Sequence, residues 1–229
     1  MITVKKYNEL GKADFGWLQA NYHFSFANFH HPDWMSHGAL RVVNDDIIAP
    51  QSGFDTHPHR DMEIITYVRE GAITHRDSEG NSETIEAGCV QVMSAGSGIY
   101  HSEHNQTTNA TNIYQIWIEP KTNGLTPSWK THRISAEPVT KELKLIVSNS
   151  HHSPLQIQQD ANVYMGRMAL GTTINHTSND LAYMLISEGT ASVNGVAASK
   201  GDGLAITNEK SLQIKAHETC EVLLIEVPK

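Results

Sequence analysis

The sequence contains little cysteine, little helical periodicity and no long apolar run. Its two cysteines, Cys89 and Cys220, are too few and too far apart for a disulfide framework, so we expect a reducing, cytoplasmic location. No apolar stretch approaches the roughly 18 residues that span a bilayer, so no membrane partner is expected. Lys and Arg number 17 against 25 Asp and Glu, a net charge of −8. Because duplex-binding proteins usually carry a basic patch and none is visible, direct nucleic-acid binding is not expected.

Short apolar runs separated by Gly, Asn, Asp and Pro dominate the 229 residues. This pattern predicts many short strands and is typical of an all-β sandwich or barrel. The predicted strands lie near 39–43, 53–59, 63–69, 72–76, 82–85, 90–93, 99–103, 113–119, 143–148, 164–170, 181–187, 191–193, 203–206, 212–215 and 221–227. The Pro- and Gly-containing stretch that follows residue 120 predicts a connector. The expected division is a first domain at 1–125, a connector at 126–142 and a second domain at 143–229.

The two predicted domains resemble each other. Residues 63–71 read EIITYVREG and residues 181–189 read LAYMLISEG, and in both a short strand and a turn follow. We interpret this as a weak internal duplication, although any two β-meanders can share such a succession of strands and turns. The same offset puts Asn175 and Thr177 where the first copy has His57 and His59. We therefore expect only the first copy to hold a metal.

Histidine is the compositional outlier, with 14 residues. Most of them, His75 included, lie in polar or loop-like contexts where a solvated or hydrogen-bonded role is expected. The strings His57-Pro58-His59 and His101-Ser102-Glu103 differ, because residues i and i+2 of a strand point to the same face. If the two strands lie opposite each other, three imidazoles and one carboxylate meet at a point that suits a divalent transition metal. Pro58 lacks a backbone donor, so its strand is expected at a sheet edge or a bulge.

Longer motifs carry a family resemblance. The spacing Gly53-x3-His57-x-His59-x3-Glu63-x7-Gly71 resembles the first motif of the cupin superfamily, with one more residue than usual before the last glycine. Gly98-x2-His101-x3-Asn105 resembles the end of the second motif. Further segments resemble pirins: HFSFANF at 23–29, LRVVNDD at 40–46, THPHRDME at 56–63, MSAGSG at 93–98, HSE at 101–103 and YQIW at 114–117. The chain is similar to the pirin family of the cupin superfamily, in particular to bacterial pirins assigned as quercetin 2,3-dioxygenases.

The resemblance implies a bicupin, in which two antiparallel jelly-roll β-barrels with few helices pack together and only the first binds metal. It implies the ligands His57, His59, His101 and Glu103, the same set that strand parity indicates. The implied cofactor is one divalent transition metal, Fe(II) first, with Mn, Co, Ni, Cu or Zn also suited to these ligands. Glu63 is expected either to be a further ligand, if the strand from His59 is unbroken, or to orient a histidine.

The implied reaction is the cleavage of a quercetin-like flavonol ring with O2, with Glu103 also acting as general base. Phe24 and Phe26 are predicted substrate contacts, from an aromatic set that could equally be packing over the barrel: Trp17, Phe24, Phe26, Phe29 and Trp34. The alternative is a metal-sensing regulatory module that binds a protein partner without turnover. A cupin isomerase or epimerase fits less well, because no basic cluster lies beside the histidines. A roomy apolar cavity at the metal would favour turnover, and a sealed metal would favour sensing.

Overall fold

The computed structural model describes residues 1–179 and 181–229. Two short 3-10 turns, Tyr7–Glu9 and Pro32–Trp34, interrupt a chain built of strands. Within the described residues, no helix has the length and apolar character needed to cross a membrane.

The strands follow one another closely along the chain. They are β1 (Ile2–Lys5), β2 (Gly11–Asp14), β3 (Leu18–Tyr22), β4 (Leu40–Ile48), β5 (Ser52–His59), β6 (Glu63–Glu70), β7 (Ala72–Asp77), β8 (Ser82–Glu86), β9 (Cys89–Ser94), β10 (Ile99–Asn105), β11 (Thr111–Ile118), β12 (Ser128–Arg133), β13 (Lys144–Ser148), β14 (Leu155–Gln156), β15 (Asn162–Met168), β16 (Thr173–Thr177), β17 (Leu181–Glu188), β18 (Thr190–Val193), β19 (Val196–Ser199), β20 (Gly203–Thr207), β21 (Ser211–Ala216) and β22 (Cys220–Glu226).

These strands form four sheets. The first inner sheet has the order β12-β9-β6-β11-β4-β3-β2, and the first outer sheet has the order β5-β10-β7-β8. The second inner sheet has the order β1-β20-β17-β22-β15-β13-β14, and the second outer sheet has the order β16-β21-β18-β19. Apart from the parallel pair β13 and β14, the described pairings are antiparallel. The predicted all-β bicupin architecture is confirmed.

The sheets stack as four layers because the central strands of the inner sheets are buried on both faces. The strands β6, β17 and β22 are buried at nearly every position, whereas the outer strand β21 alternates between exposed and buried residues. One apolar cluster lies between the two inner sheets, where Tyr114 and Ile116 meet Tyr183 and Leu223. Separate clusters lie between each inner sheet and its own outer sheet. The two halves are therefore joined by a continuous core.

The strand order repeats between the halves, in keeping with the weak duplication in the sequence. In the outer sheets, β5, β10, β7 and β8 occupy the same places as β16, β21, β18 and β19. Asn175 and Thr177 lie in β16, the strand that corresponds to β5. Among the described residues, the groups of side chains able to hold a metal lie in the first half.

The structure differs from the predicted domain limits at two strands. β1 belongs to the second inner sheet, where Lys5 lies opposite Gly203. β12 falls within the expected connector but pairs with β9 of the first inner sheet, with Ser128 opposite Ser94. Each half thus takes an edge strand from outside its expected segment, because an open sheet edge offers unpaired backbone groups to any strand within reach.

Candidate metal centre

The two predicted ligand strings lie on neighbouring strands. β5 is the edge strand of the first outer sheet, and it pairs with β10 so that His101 lies opposite His57. The register then shifts, because Glu103 lies opposite Phe54, so that two steps along β10 match three along β5. The one-residue bulge lies between Phe54 and His57. Pro58 lies outside it, opposite Tyr100, and its missing donor costs little because β5 is an edge strand.

Three imidazoles converge between these strands. The ring centroids of His57 and His101 are 4.5 Å apart, those of His57 and His59 are 4.8 Å apart, and those of His59 and His101 are 4.9 Å apart. The Nε2 atoms of His57 and His101 are 3.1 Å apart. One ligand nitrogen from each of the three residues lies within 4.8 Å of the others.

The protonation of these rings suits a cation. The Nδ1 atom of His57 donates to the Asp55 carbonyl oxygen at 2.7 Å, which leaves the lone pair on Nε2. Burial, together with the neighbouring imidazoles, lowers the pKa of His101 to about 3 and that of His59 to about 4. Neutral rings with converging lone pairs are the state that metal ligation requires. The donor set therefore fits a divalent transition metal.

Glu103 lies on β10 and is almost fully buried, at 1% exposure. Its Oε1 atom accepts from Gln91 Nε2 at 2.8 Å and from Thr66 Oγ1 at 3.2 Å. Its Oε2 atom accepts from Gln115 Nε2 at 2.7 Å. These donors fix the orientation of the carboxylate.

Two tryptophans fix the amides that hold Glu103. Trp129 Nε1 donates to Gln91 Oε1 at 2.8 Å, and Trp117 Nε1 donates to Gln115 Oε1 at 3.2 Å. Because an indole nitrogen can only donate, each glutamine must turn its NH2 group toward the carboxylate. Sequence reasoning missed these residues, although the i, i+2 spacing of Gln115 and Trp117 was a signal for a shared face.

His75 was expected to have a solvated or a hydrogen-bonded role, and the structure has it hydrogen-bonded and fully buried in β7. One ligand atom of His75 lies within 4.8 Å of those of His101 and Glu103. Its Nε2 atom is 2.9 Å from Asp77 Oδ2, and its ring stacks on Trp129 at 5.1 Å. Among the described residues, the Nδ1 atoms of His75 and His101 both lack a hydrogen-bond partner. The spacing of His75 and Asp77, two residues apart, was the missed signal.

Glu63 differs from its prediction. The strand from His59 is broken at 60–62, where Asp61 has a φ of 48°, so strand parity does not carry over from His59. The Glu63 carboxylate lies away from the histidines, where its Oε2 atom accepts from Ser94 Oγ at 2.5 Å and from the Gln158 backbone at 3.2 Å. Among the described residues, two groups could hold a metal, His57 with His59 and His101, and His75 with His101 and Glu103. Glu63 belongs to neither group.

A cavity of about 200 Å³ opens beside the imidazoles. Alternate residues of several strands line it: Leu18, Ala20 and Tyr22; Asn44 and Asp46; Gln115 and Trp117; and His57, His59, Glu103, Phe26 and Phe54. Phe26 is thus at the cavity, with its ring edge-on to Trp117 at 5.5 Å. Phe24 is not, because its ring packs between the halves against Tyr183 at 5.1 Å.

The predicted aromatic set otherwise packs the structure. Trp17 lies edge-on to Phe54 at 5.1 Å, and Lys5 Nζ lies over the rings of Trp34 and Phe29. Tyr22, Phe54 and Trp117 provide aromatic walls that the sequence did not single out. The cavity is therefore flat-sided and largely apolar.

The floor of the cavity carries a buried carboxyl group. Asp46 is 2% exposed, and burial, with the charges of Asp45 and Glu103 added, raises its pKa well above the usual range. A larger cavity, about 570 Å³, lies elsewhere, and most of the residues that line it fall between 132 and 146, with Met165 and Arg167 among the others. It holds none of the candidate ligands, so the smaller cavity is the better candidate site.

Comparison with known proteins agrees with this geometry. Residues 3–118 match the family model described as Pirin, and residues 145–227 match the model described as the quercetinase C-terminal cupin domain. A quercetin 2,3-dioxygenase of Escherichia coli strain K12 is 42% identical over 100% of this chain and 99% of its own. A pirin-like protein of Caulobacter vibrioides is 44% identical over 99% of both chains.

A solved structure is also similar. The bacterial pirin YhhW of Escherichia coli in complex with nickel(II) superposes with a TM-score of 0.93 at 41% identity, covering 100% of this chain and 99% of the other. The fold, the histidine and glutamate cluster and these relatives define a bicupin metal enzyme with a cluster compatible with a single metal. The chain belongs to the pirin family.

Proposed function

We propose that the protein is a metal-dependent dioxygenase that cleaves a quercetin-like flavonol with O2. The observation that carries this proposal is the convergence of three imidazole nitrogens, of which those of His57 and His59 belong to residues that line an aromatic-walled cavity. The names of the relatives support a small aromatic substrate. We place the reaction in the cytoplasm, since both cysteines are free thiols.

We assign the metal ligands as His57, His59, His101 and Glu103. Fe(II) is the first candidate because it favours mixed imidazole and carboxylate ligands with open positions, and the nickel complex of YhhW supports a divalent transition metal in general. When bound, the metal supplies a Lewis acid and open positions for the substrate oxygens and O2.

The protein's own groups would do three things. The Phe26, Phe54 and Trp117 rings hold a flat substrate and exclude water. Glu103, at the cavity wall, accepts the proton of the flavonol 3-hydroxyl at a carboxylate oxygen. The Trp117–Gln115 pair keeps that carboxylate pointed at the reacting group.

The cavity favours turnover over a purely sensing role, because a sensor has no need of an open aromatic space beside its metal. Among the described residues that line it, none is a lysine or arginine. This disfavours the phosphorylated substrates of cupin isomerases and epimerases. If the following experiment detects no turnover, the remaining alternative is a protein-binding role without turnover.

The test starts from protein purified without chelators, with its metal content measured. Incubation with quercetin should bleach the flavonol absorbance with matching oxygen uptake, and neither should occur under anaerobic conditions. His57→Ala should lose metal and bleaching together. His217→Ala should keep both, since His217 is an exposed residue of the second half whose ring bonds to Ser192. Metal-loaded protein that leaves quercetin unchanged in air would refute the enzyme proposal.

Glu103→Gln separates the base from the ligand role. We expect kcat/KM for the flavonol to fall by about 10²- to 10⁴-fold in protein that still holds metal, since the amide cannot accept the proton. Full turnover by metal-loaded Glu103→Gln would show that Glu103 is not the base.

A further inference from the structure

The floor of the candidate cavity carries two acceptor groups with no partner. Asn44 and Asp46 lie two residues apart on β4, so both side chains face the cavity. They are 3% and 2% exposed, and the Oδ1 atom of each makes no hydrogen bond among the described residues. β4 lies between β11 and β3, which closes off solvent from the sides.

Most other polar groups around the cavity are engaged or assigned to the metal. The Gln115 amide donates to the Glu103 carboxylate, the Nδ1 atom of His57 donates to the backbone, and His59 is a proposed ligand. Apart from the hydroxyl of Tyr22, the remaining lining is aliphatic or aromatic. Because buried acceptors without a donor cost free energy, a ligand that supplies a donor at this floor gains more affinity than one that does not.

The surroundings of Asn44 and Asp46 indicate which kind of donor group the ligand would bring. The walls are aromatic, so the donor is expected on a flat ring. The proposed metal already brings positive charge to the same space, so a neutral hydroxyl fits better than a second cation. A volume of about 200 Å³ is below the roughly 300–1,000 Å³ of sites that enclose a whole drug-sized ligand. One ring system can therefore enter while the rest of the molecule lies at the mouth.

We propose that Asn44 and Asp46 are specificity-determining residues that recognise an aryl hydroxyl on the inserted ring of the substrate. The protein then prefers ring-hydroxylated flavonols over their unsubstituted parent. The identification of the ligand as a flavonol rests on the proposed function, whereas the recognition of an aryl hydroxyl by this floor can be tested without turnover.

The experiment compares quercetin with 3-hydroxyflavone, which keeps the metal-binding oxygens and lacks the other ring hydroxyls. Anaerobic Kd values are measured on metal-loaded protein by quenching of tryptophan fluorescence. We expect the unmodified protein to prefer quercetin by about 10- to 100-fold. In the double variant Asn44→Leu/Asp46→Leu this preference should vanish, because quercetin binding weakens and 3-hydroxyflavone binding does not.

A stability measurement distinguishes recognition from a structural role. If the two acceptors are unpaired in the free protein, the double variant should unfold at the same or a higher temperature than the parent, with unchanged metal content. Ser187→Ala is the matched control, since Ser187 Oγ is also buried with no partner among the described residues but lies outside the cavity. It should keep the full preference. If the double variant fails to fold, the same measurements are made on the single variant Asn44→Leu.

Two results would overturn the inference. One is a Kd ratio in the variant equal to that of the parent, and the other is a parent that binds both flavonols equally. Aerobic turnover of the same flavonols is recorded in parallel. If the parent binds quercetin selectively without turnover, the proposed dioxygenase activity is rejected and the recognition of an aryl hydroxyl is supported. If the parent turns over both flavonols without selectivity, the dioxygenase activity is supported and the recognition is rejected.

Discussion

At the scale of single residues, strand parity predicted more of the site than composition did. His57 and His59, with His101 opposite, follow directly from i, i+2 spacing once β5 and β10 pair. Parity failed for Glu63, because three residues outside any strand, 60–62, separate it from β5. His75 could not be assigned from its neighbours alone, because its burial depends on Trp129, which β12 brings from more than 50 residues away.

His75 gives a prediction at this scale. Within the described part of the chain, His101 Nδ1 and His75 Nδ1 are both buried without a hydrogen-bond partner, and the two residues lie close together. Groups behind a metal-binding imidazole typically change metal affinity by about 10- to 100-fold. We therefore expect His75→Gln to weaken metal binding by about that factor, measured by competition with a chromophoric chelator. His217→Gln is the control, and equal affinities for the two variants would argue against a positioning role for His75.

At the scale of elements, every strand predicted from an apolar run is present, with ends shifted by a few residues. The missed strands are short or polar: β1, β2, β3, β12, β14, β16 and β19. Several of them are edge or outer strands that bury only one face, so their sequences carry a weak apolar signal. Their partners are also far away in the chain, which local patterns cannot reveal. The bulge in β5 is likewise a property of the pair, since it appears only against β10.

The first strand provides a prediction at the scale of elements. β1 adds an edge strand to the second inner sheet, and the buried Lys5 ammonium donates to the His23 carbonyl oxygen of the other half at 2.5 Å. Deleting residues 1–6 should lower the free energy of unfolding by about 2–4 kcal/mol, measured by urea denaturation. Thr3→Ala keeps the backbone pairing and should change it by less than about 0.5 kcal/mol. A deletion that costs no more than Thr3→Ala would show that β1 is dispensable.

At the scale of the whole molecule, the two halves share an apolar core. The sequence indicated that the halves are repeats of each other but not that they share this core. His23 and Tyr183 meet across this boundary, with His23 Nδ1 2.9 Å from the Tyr183 hydroxyl. A Cβ atom at Gly203 would overlap the Tyr183 hydroxyl oxygen and lie 2.8 Å from His23 Nδ1. The contact therefore needs a residue without a side chain at 203. No periodicity within one half could have predicted it.

This boundary makes stability depend on pH. Burial, with the charge of Lys5 added, lowers the pKa of His23 from 6.5 to about 3. Above about pH 6.5 the ring is neutral in both the folded and unfolded chain, and stability is unaffected. As pH falls from there toward 3, the unfolded chain binds a proton that the folded chain does not, so stability is lost.

His23→Gln tests this effect, since an amide can still bond to the Tyr183 hydroxyl but does not titrate. Between about pH 4.5 and 5.5, the slope of unfolding free energy against pH should become shallower by about 1.4 kcal/mol per pH unit. The measurement is urea denaturation of metal-free protein. His30→Gln, at an exposed position, should leave the slope unchanged, and an unaltered slope in His23→Gln would contradict a neutral buried ring.

The exchange of edge strands has a consequence for biosynthesis. β1 leaves the ribosome long before its partner β20, which begins only at Gly203. At about 5–20 residues per second, the nascent β1 waits on the order of ten seconds or more before it can be paired. During that interval the unpaired backbone of β1 can pair with other chains. A chaperone that binds the nascent chain, or slow folding of the first half, would therefore affect the yield of this protein more than that of a protein whose halves fold independently.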